Sequence, residues 1–210
     1  MAVGYDRDNL PSCWHEFKHI NRYWDKHSKL PTAKILPGEY YVTGHNEAIS
    51  TTLGSCISAC IRDPKIGIGG MNHFMLPLNN SASLVEAEDA ARYGNFAMEQ
   101  MINDILRNGG KRERLEVKIF GGGRVMKGVT DVGKKNISFV KDYLTLEKLK
   151  LLAEDVGGKH PRKIMYLPKT GKVKMKKLVN QHNNTVETRD VSYFDKITHQ
   201  ENTGEIELFD

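Results

Sequence analysis

The chain has 210 residues, of which 39% are hydrophobic and 27% charged, the composition of an ordinary water-soluble protein with one substantial core. It contains no run of eighteen apolar residues and no N-terminal signal peptide, so we expect a cytoplasmic protein with no membrane insertion. Three cysteines, an odd number, argue against a disulfide scaffold, and they lack the paired spacing of a zinc site. The net charge of +5 would suit an acidic partner, but nothing else suggests nucleic-acid binding.

Residues 1–34 are rich in aromatic side chains, histidine and lysine, and they show no clean period over their whole length. A short helix is predicted around residues 14–24, because Trp14, Phe17 and Ile20 would share one helical face. We interpret this stretch as an N-terminal extension packed on the domain. The alternative is an arm that binds a partner.

Residues 35–179 carry the alternating signals of strands and helices. Apolar residues at helical spacing predict a long helix over residues 85–108, ended by two glycines. A second helix is predicted to begin within residues 131–135, with Ile137 and Val140 on its inner side. Strands are predicted from β-forming residues and bounding turns at residues 35–42, 47–53, 57–61, 67–76, 115–122, 149–156, 164–167 and 173–178.

This order of elements favours one α/β domain, residues 35–179, with helices packed on a mixed sheet. Residues 180–210 are polar, and we interpret them as a loosely attached C-terminal tail. Lysine is concentrated at residues 169–177, around a predicted hairpin turn. We interpret this patch as a solvated hairpin; the alternative is a surface that steers the protein towards an acidic partner.

One hairpin within the domain concentrates the reactive side chains. If residues 63–66 form its loop, Arg62 pairs with Gly67, and counting back places Cys56 opposite His73. Directly opposed side chains share a face, with Cβ atoms about 4.5 to 5.5 Å apart. A two-residue loop would place Met71 there instead.

A thiol beside an imidazole is the arrangement of a cysteine nucleophile. Cys56 follows a Gly-Ser corner, where free backbone amides could stabilise an oxyanion, and His73 could accept the thiol proton. The alternative is an inert core cysteine, which is our interpretation of Cys60. A group that orients His73 is also needed; strand alternation puts Ser50 and Thr52 on the Cys56 face, although such hydroxyls need have no function.

A triple glycine, Gly121–Gly123, precedes Arg124 at the end of a predicted strand. It lacks the GK[ST] ending of a phosphate-binding P-loop and the GxGxxG spacing of a dinucleotide site. We therefore predict a tight loop lining the catalytic cleft rather than a phosphate site.

Four motifs, LGSCISACIRDP, GGMNHFMLP, RYGNFAM and KIFGGGRVM, resemble in order and spacing the CheD family of chemoreceptor glutamine deamidases. The resemblance extends over about residues 36–179. It implies a three-layer α/β sandwich, similar to the catalytic domain of the cytotoxic necrotising factor toxins, with a Cys-His-Thr catalytic set. The family cysteine falls on Cys56 and the histidine on His73. Without a gap, the threonine position holds Ser50, followed by Thr51 and Thr52; a small shift would bring Thr52 into place.

The resemblance also implies a reaction, the hydrolysis of selected glutamine side chains of methyl-accepting chemoreceptors to glutamate with ammonia release. No cofactor would be required. The partners would be the cytoplasmic helices of these receptors and, as for family members of some bacteria, a CheC-type phosphatase. The first alternative is a non-catalytic chemotaxis adaptor that binds the same partners. The second is another thiol hydrolase, such as a peptidase or transglutaminase, which the four motifs together disfavour.

Overall fold

The computed structural model describes residues 5–77, 84–125, 132–179 and 185–198, without the side chains of residues 84–87 and 89. None of the helices in these ranges is long and apolar enough to cross a membrane. The strands are β1 (Asn21–Asp25), β2 (Leu30–Lys34), β3 (Tyr40–Thr43), β4 (Ala48–Leu53), β5 (Ile57–Asp63), β6 (Ile68–Asn72), β7 (Glu116–Gly121), β8 (Lys150–Val156), β9 (Arg162–Leu167) and β10 (Lys172–Lys177), and the helices are α1 (Leu84–Arg107), α2 (Val132–Leu146) and α3 (Thr185–Thr198).

The strands form two five-stranded sheets. The order is β1-β2-β4-β9-β10 in the first sheet and β3-β6-β5-β7-β8 in the second. Both sheets are mixed, because β2 runs parallel to β4 and β7 runs parallel to β8, whereas the other pairs are antiparallel. The predicted strands between residues 35 and 178 are all present, with shifted ends.

One hydrophobic cluster joins the two sheets and the helices. Ile49 and Leu53 contribute to it from the first sheet, and Ile57 and Ile61 from the second. The helices α1 and α2 pack against strands of the second sheet, so the layers are helices, second sheet and first sheet. The expectation of a single three-layer α/β domain is confirmed.

The hairpin of β5 and β6 has a different register from the predicted one. Asp63 pairs with Ile68 and Arg62 with Gly69, two residues beyond the predicted partner. Asp63 stays in the strand because its carboxylate is held there: it accepts hydrogen bonds from the N–H of Lys65 at 2.9 Å and from the Arg114 guanidinium. These bonds lower the pKa of Asp63 to about 2. The four-residue loop therefore starts one residue later and ends at Gly67, whose φ of +72° favours glycine.

Residues 1–34 contribute strands to the domain. The helix predicted over residues 14–24 is wrong: a short 3₁₀ turn, His15–Phe17, is followed by β1. Phe17 is buried, as the pattern indicated, and packs edge-on against Tyr40 with ring centroids 5.3 Å apart. Pairing of β1 and β2 beside β4 outweighs the weak local helical signal here.

The C-terminal segment is not a loose tail over its whole length. Within residues 180–210, α3 forms and packs against the domain, while residues 199–210 lie outside the described ranges. One face of α3 is apolar: Val186 is buried, and Tyr193 and Ile197 pack against the core cluster. The polar composition of the segment concealed this narrow apolar stripe.

Candidate active site

Cys56 lies directly before β5 and is fully buried. The next residue, Ile57, exchanges two backbone hydrogen bonds with Phe74, at 2.9 and 3.0 Å. This pairing places Cys56 opposite Met75, so His73 occupies the diagonal position on the same face. Diagonal neighbours lie about 7 to 8 Å apart at Cα, within reach of long side chains. The structure thus brings Cys56 and His73 to one face, by a diagonal rather than the predicted direct opposition.

The orienting partner of His73 is Thr51. The Nδ1 atom of His73 lies 2.8 Å from Oγ1 of Thr51, and the same hydroxyl donates a hydrogen bond of 2.8 Å to the carbonyl of Ile35. Because that hydroxyl has one proton and gives it to Ile35, it must accept from Nδ1–H of His73. Nε2 then carries the free lone pair, and it makes no hydrogen bond to any described residue. His73 is held in the tautomer that can accept a thiol proton.

Ser50 and Thr52 do not make this contact. They flank Thr51 on β4, so their side chains point to the opposite face of the first sheet. The alternation argument failed because β4 ends at Leu53. The chain then bends and enters the second sheet, and a period of two cannot be counted through that bend to Cys56.

The triple-glycine loop packs against the segment of residues 54–56, and the prediction that it lines a catalytic cleft stays a prediction. The N–H of Gly122 donates to the Cys56 carbonyl, and the N–H of Gly123 donates to the Gly54 carbonyl, both at 2.7 Å. A side chain on Gly122 would collide with Ile137, and its φ is +63°. Glycine is needed here because α2 leaves no room for a side chain and the backbone lies in the left-handed region.

Asn136, on the inner face of α2, was not singled out by sequence reasoning. Its side chain is buried; Oδ1 accepts a hydrogen bond of 2.9 Å from the Leu76 N–H, and Nδ2 donates one of 2.9 Å to the Ser55 carbonyl. A trans peptide points its N–H opposite to its carbonyl, so fixing the Ser55 carbonyl fixes the direction of the Cys56 N–H. The available signal was a polar residue within the apolar stripe that includes Val132.

Replacing Asn136 by aspartate is expected to lower kcat about 10- to 100-fold with little change in KM, because the donor to the Ser55 carbonyl is lost while the acceptor for Leu76 remains. Steady-state kinetics and a thermal melt of each variant would check this. Asn103→Asp, the same change at an exposed position of α1, is the control. A folded Asn136→Asp variant with wild-type kcat would contradict the positioning role.

Burial determines the protonation states of Cys56 and His73. It raises the pKa of the Cys56 thiol well above its usual value, and the Asp190 carboxylate raises it further. Burial also lowers the pKa of His73 well below its usual value, and the Arg189 cation adds to this effect. In the arrangement described here, thiol and imidazole are both neutral.

Two residues of α3 contact the segment before Cys56. Asp190 accepts hydrogen bonds at Oδ2 from the N–H of Ser55 at 2.7 Å and from its hydroxyl at 2.8 Å. Arg189 donates a hydrogen bond of 2.7 Å to the carbonyl of Thr52 and pairs with Asp190 at 2.9 Å. No pattern in the sequence connects this helix with the site.

A cavity of about 110 Å³ lies beside His73 on the side of α1. Tyr93 and Phe96 of α1 line it together with Gly38 and Phe74. The Phe96 ring is 59% exposed, so an apolar surface adjoins the imidazole.

Several known proteins are similar in sequence to this chain. The family model described as CheD chemotactic sensory transduction matches residues 75–177. The probable chemoreceptor glutamine deamidase CheD of Halorhodospira halophila is 52% identical over all of both chains. Its counterpart in Hahella chejuensis is 53% identical over 92% of each chain, and that of Methylobacillus flagellatus is 50% identical over 90% of this chain and 95% of its own.

Among solved structures, Neisseria meningitidis protein NMB0706 is 9% identical, with a TM-score of 0.42 over 68% of this chain and 77% of its own. The sequence identities to the curated relatives are far higher and extend over nearly whole chains. The chain belongs to the CheD family.

Proposed function

We propose that this protein hydrolyses the side-chain carboxamide of selected glutamines on chemoreceptors, giving glutamate and ammonia. The observation that carries the proposal is the hydrogen bond between Thr51 and His73, because the pairing of Ile57 with Phe74 puts His73 on the same face as Cys56. The names of the relatives supply the substrate class. A complete set of thiol, base and orienting hydroxyl favours an enzyme over a non-catalytic adaptor.

In the first half of the reaction, Nε2 of His73 takes the thiol proton and the Cys56 thiolate attacks the carboxamide carbon. The resulting oxyanion accepts hydrogen bonds from the N–H groups of Cys56 and Ser55. The imidazolium then protonates the nitrogen as the C–N bond breaks. Ammonia leaves, and the glutamine carbonyl is bound to Cys56 as a thioester.

In the second half, Nε2 of His73 deprotonates a water molecule, which attacks the thioester carbonyl. The C–S bond breaks, the product is a glutamate side chain, and the proton returns to the Cys56 sulfur. Thr51 keeps the imidazole in one tautomer through both halves, since its hydroxyl accepts from Nδ1–H. No step in this sequence requires a cofactor.

We further propose that the reaction takes place in the cytoplasm, on the cytoplasmic helices of the receptors. Exposed lysines of β10, among them Lys172, Lys174 and Lys176, give one edge of the first sheet a positive charge that would favour approach to an acidic helix surface. A CheC-type phosphatase is a second proposed partner, on the ground of the family resemblance.

The direct test is the mass of a purified receptor fragment after incubation with the protein. Each converted glutamine should add about one dalton, because an NH₂ group is replaced by OH. Peptide mapping must place the gain on glutamine, since asparagine deamidates spontaneously, and a fragment incubated in buffer alone is the control. A fragment without enzyme-dependent conversion at any glutamine would refute the proposed activity.

A further inference from the structure

The helix α3 covers the segment of residues 54–56. Cys56 and His73 both have an exposed fraction of 0%. A methyl group built on Gly54 would lie 2.7 Å from Val125 and in even closer contact with the Asp190 carboxylate. A carboxamide substrate is far larger than a methyl group, so it cannot reach Cys56 past Gly54 while α3 is in this position.

The face of α3 that contacts Gly54 carries a buried negative charge, the carboxylate of Asp190. Asp190 lies between Val186 and Tyr193 on the inward stripe of the helix and is fully buried. A buried carboxylate is costly unless it is paired and hydrogen-bonded. Asp190 meets both conditions, through Arg189 and through Ser55. One of its two partners, Ser55, therefore belongs to the proposed active site.

The hydrogen bond between Asp190 and Ser55 also resembles the one that the reaction product would make. One of its carboxylate oxygens accepts the Ser55 N–H, one of the two amides that the mechanism assigns to the oxyanion. The product of the reaction is itself a carboxylate on an aliphatic side chain, one methylene longer than aspartate. Asp190 is therefore a carboxylate, carried by a helix, that binds the same Ser55 amide as the carboxylate of a converted glutamine would.

The helix α3 occupies a groove between the segment of residues 54–56 at one end and Gly38 with Tyr93 of α1 at the other. A second contact of α3 is made at this other end. The hydroxyl groups of Tyr193 and Tyr93 are 2.6 Å apart, joining α3 to α1. The Tyr193 hydroxyl also lies close to Gly38, and a methyl group built there would be 2.9 Å from it. Gly38 in turn donates a backbone hydrogen bond of 2.7 Å to the carbonyl of His73. Tyr193 therefore packs against the loop that supports the histidine.

We propose that the groove occupied by α3 is the docking surface for the glutamine-bearing segment of the substrate, and that α3 is an internal competitor for it. The partner is a helical segment, because the present occupant presents its acidic side chain from a helix. The enzyme is closed while Asp190 holds Ser55 and opens when α3 leaves. This inference rests on the proposed function for the identity of the substrate, whereas the closure by α3 does not.

The closure is tested by alkylation of Cys56 with iodoacetamide in the full-length protein, followed peptide by peptide so that Cys13 and Cys60 are counted separately. Asp190→Ala removes the two hydrogen bonds to Ser55 and is expected to raise the alkylation rate of Cys56 at least about 10-fold. Asp195→Ala, the same change at an exposed position of α3, is the control and should not raise it.

A second variant separates opening of the groove from a change in thiol acidity. Loss of Asp190 would itself acidify the thiol, whereas loss of Arg189 has the opposite electrostatic effect, because that cation lowers the pKa of Cys56. Arg189→Ala also breaks the hydrogen bond to the Thr52 carbonyl. Faster alkylation in both variants supports release of α3. Faster alkylation in Asp190→Ala alone would overturn it.

Deamidation measured in parallel tests the docking surface. Asp190→Ala should convert receptor glutamines faster than the wild-type protein, with a lower KM. An unchanged or lower rate, together with faster alkylation, would show that α3 does not compete with substrate. If the wild-type protein and both variants convert no glutamine, the proposed function fails, and the alkylation rates still decide whether α3 closes the site.

Discussion

Replacing Cys56 by alanine is expected to abolish the receptor's mass gain, lowering kcat/KM by about 10⁴-fold or more. In the proposed mechanism the Cys56 thiol forms the thioester. The other thiol on this face, Cys60, lies four residues further along the chain, away from the Ser55 and Cys56 amides that would hold the oxyanion. Binding of the receptor should survive, since alanine removes one atom from a buried position. The measurement is receptor mass at fixed times, with a pull-down of the receptor by the variant.

Cys60→Ala is the matched control for that experiment. Cys60 lies on β5, is almost completely buried and pairs across the sheet with Met71, so the substitution removes the same atom at a buried position four residues further along the chain. It should cost about 1 kcal/mol of stability, as small core truncations do, and leave the deamidation rate intact. Activity that survives Cys56→Ala but not Cys60→Ala would show that Cys60, and not Cys56, is the nucleophile.

Thr51→Val should have the second largest effect, a fall in kcat of roughly 10²-fold or more, because the acceptor for the Nδ1 proton of His73 disappears. Without it the imidazole can adopt the other tautomer, which presents N–H instead of a lone pair to the thiol. Valine keeps the shape of threonine, so folding should be retained. The rate is measured as a pH profile of kcat, in which a merely structural change would leave the shape unaltered.

The neighbouring hydroxyls provide the controls for this variant. Ser50→Ala and Thr52→Val remove hydroxyls from the opposite face of β4 and should leave kcat at the wild-type level. Thr51→Ser keeps a hydroxyl at the same position and should restore most of the activity. A large loss in Ser50→Ala or Thr52→Val with none in Thr51→Val would show that the hydrogen bond to His73 is not used in catalysis.

Local patterns were enough to predict most strands, the helices α1 and α2, and the placement of Cys56 and His73 on two neighbouring segments. Their exact juxtaposition could not be predicted, because the register depends on how the Asp63 carboxylate is satisfied. Its main partner is Arg114, 51 residues away in sequence, and no local pattern reports such a contact.

The choice of Thr51 over its neighbours had a similar cause. Alternation holds only within one strand, and the chain changes sheets between Leu53 and Ile57. Asn136 and Asp190 escaped notice because each is a single polar residue on the inward face of a helix. Such a residue becomes meaningful only when its partner, here the backbone of Ser55, is known.

The position of Thr51 in the first sheet and of His73 beside the second has a mechanical consequence. The hydrogen bond between them bridges two layers that are separated by buried apolar side chains such as Ile49 and Met71. In the proposed mechanism, the reaction rate therefore depends on how tightly the two sheets pack. Core residues that never approach the substrate become determinants of turnover, since a small sliding of one sheet over the other would release the imidazole before the protein unfolds.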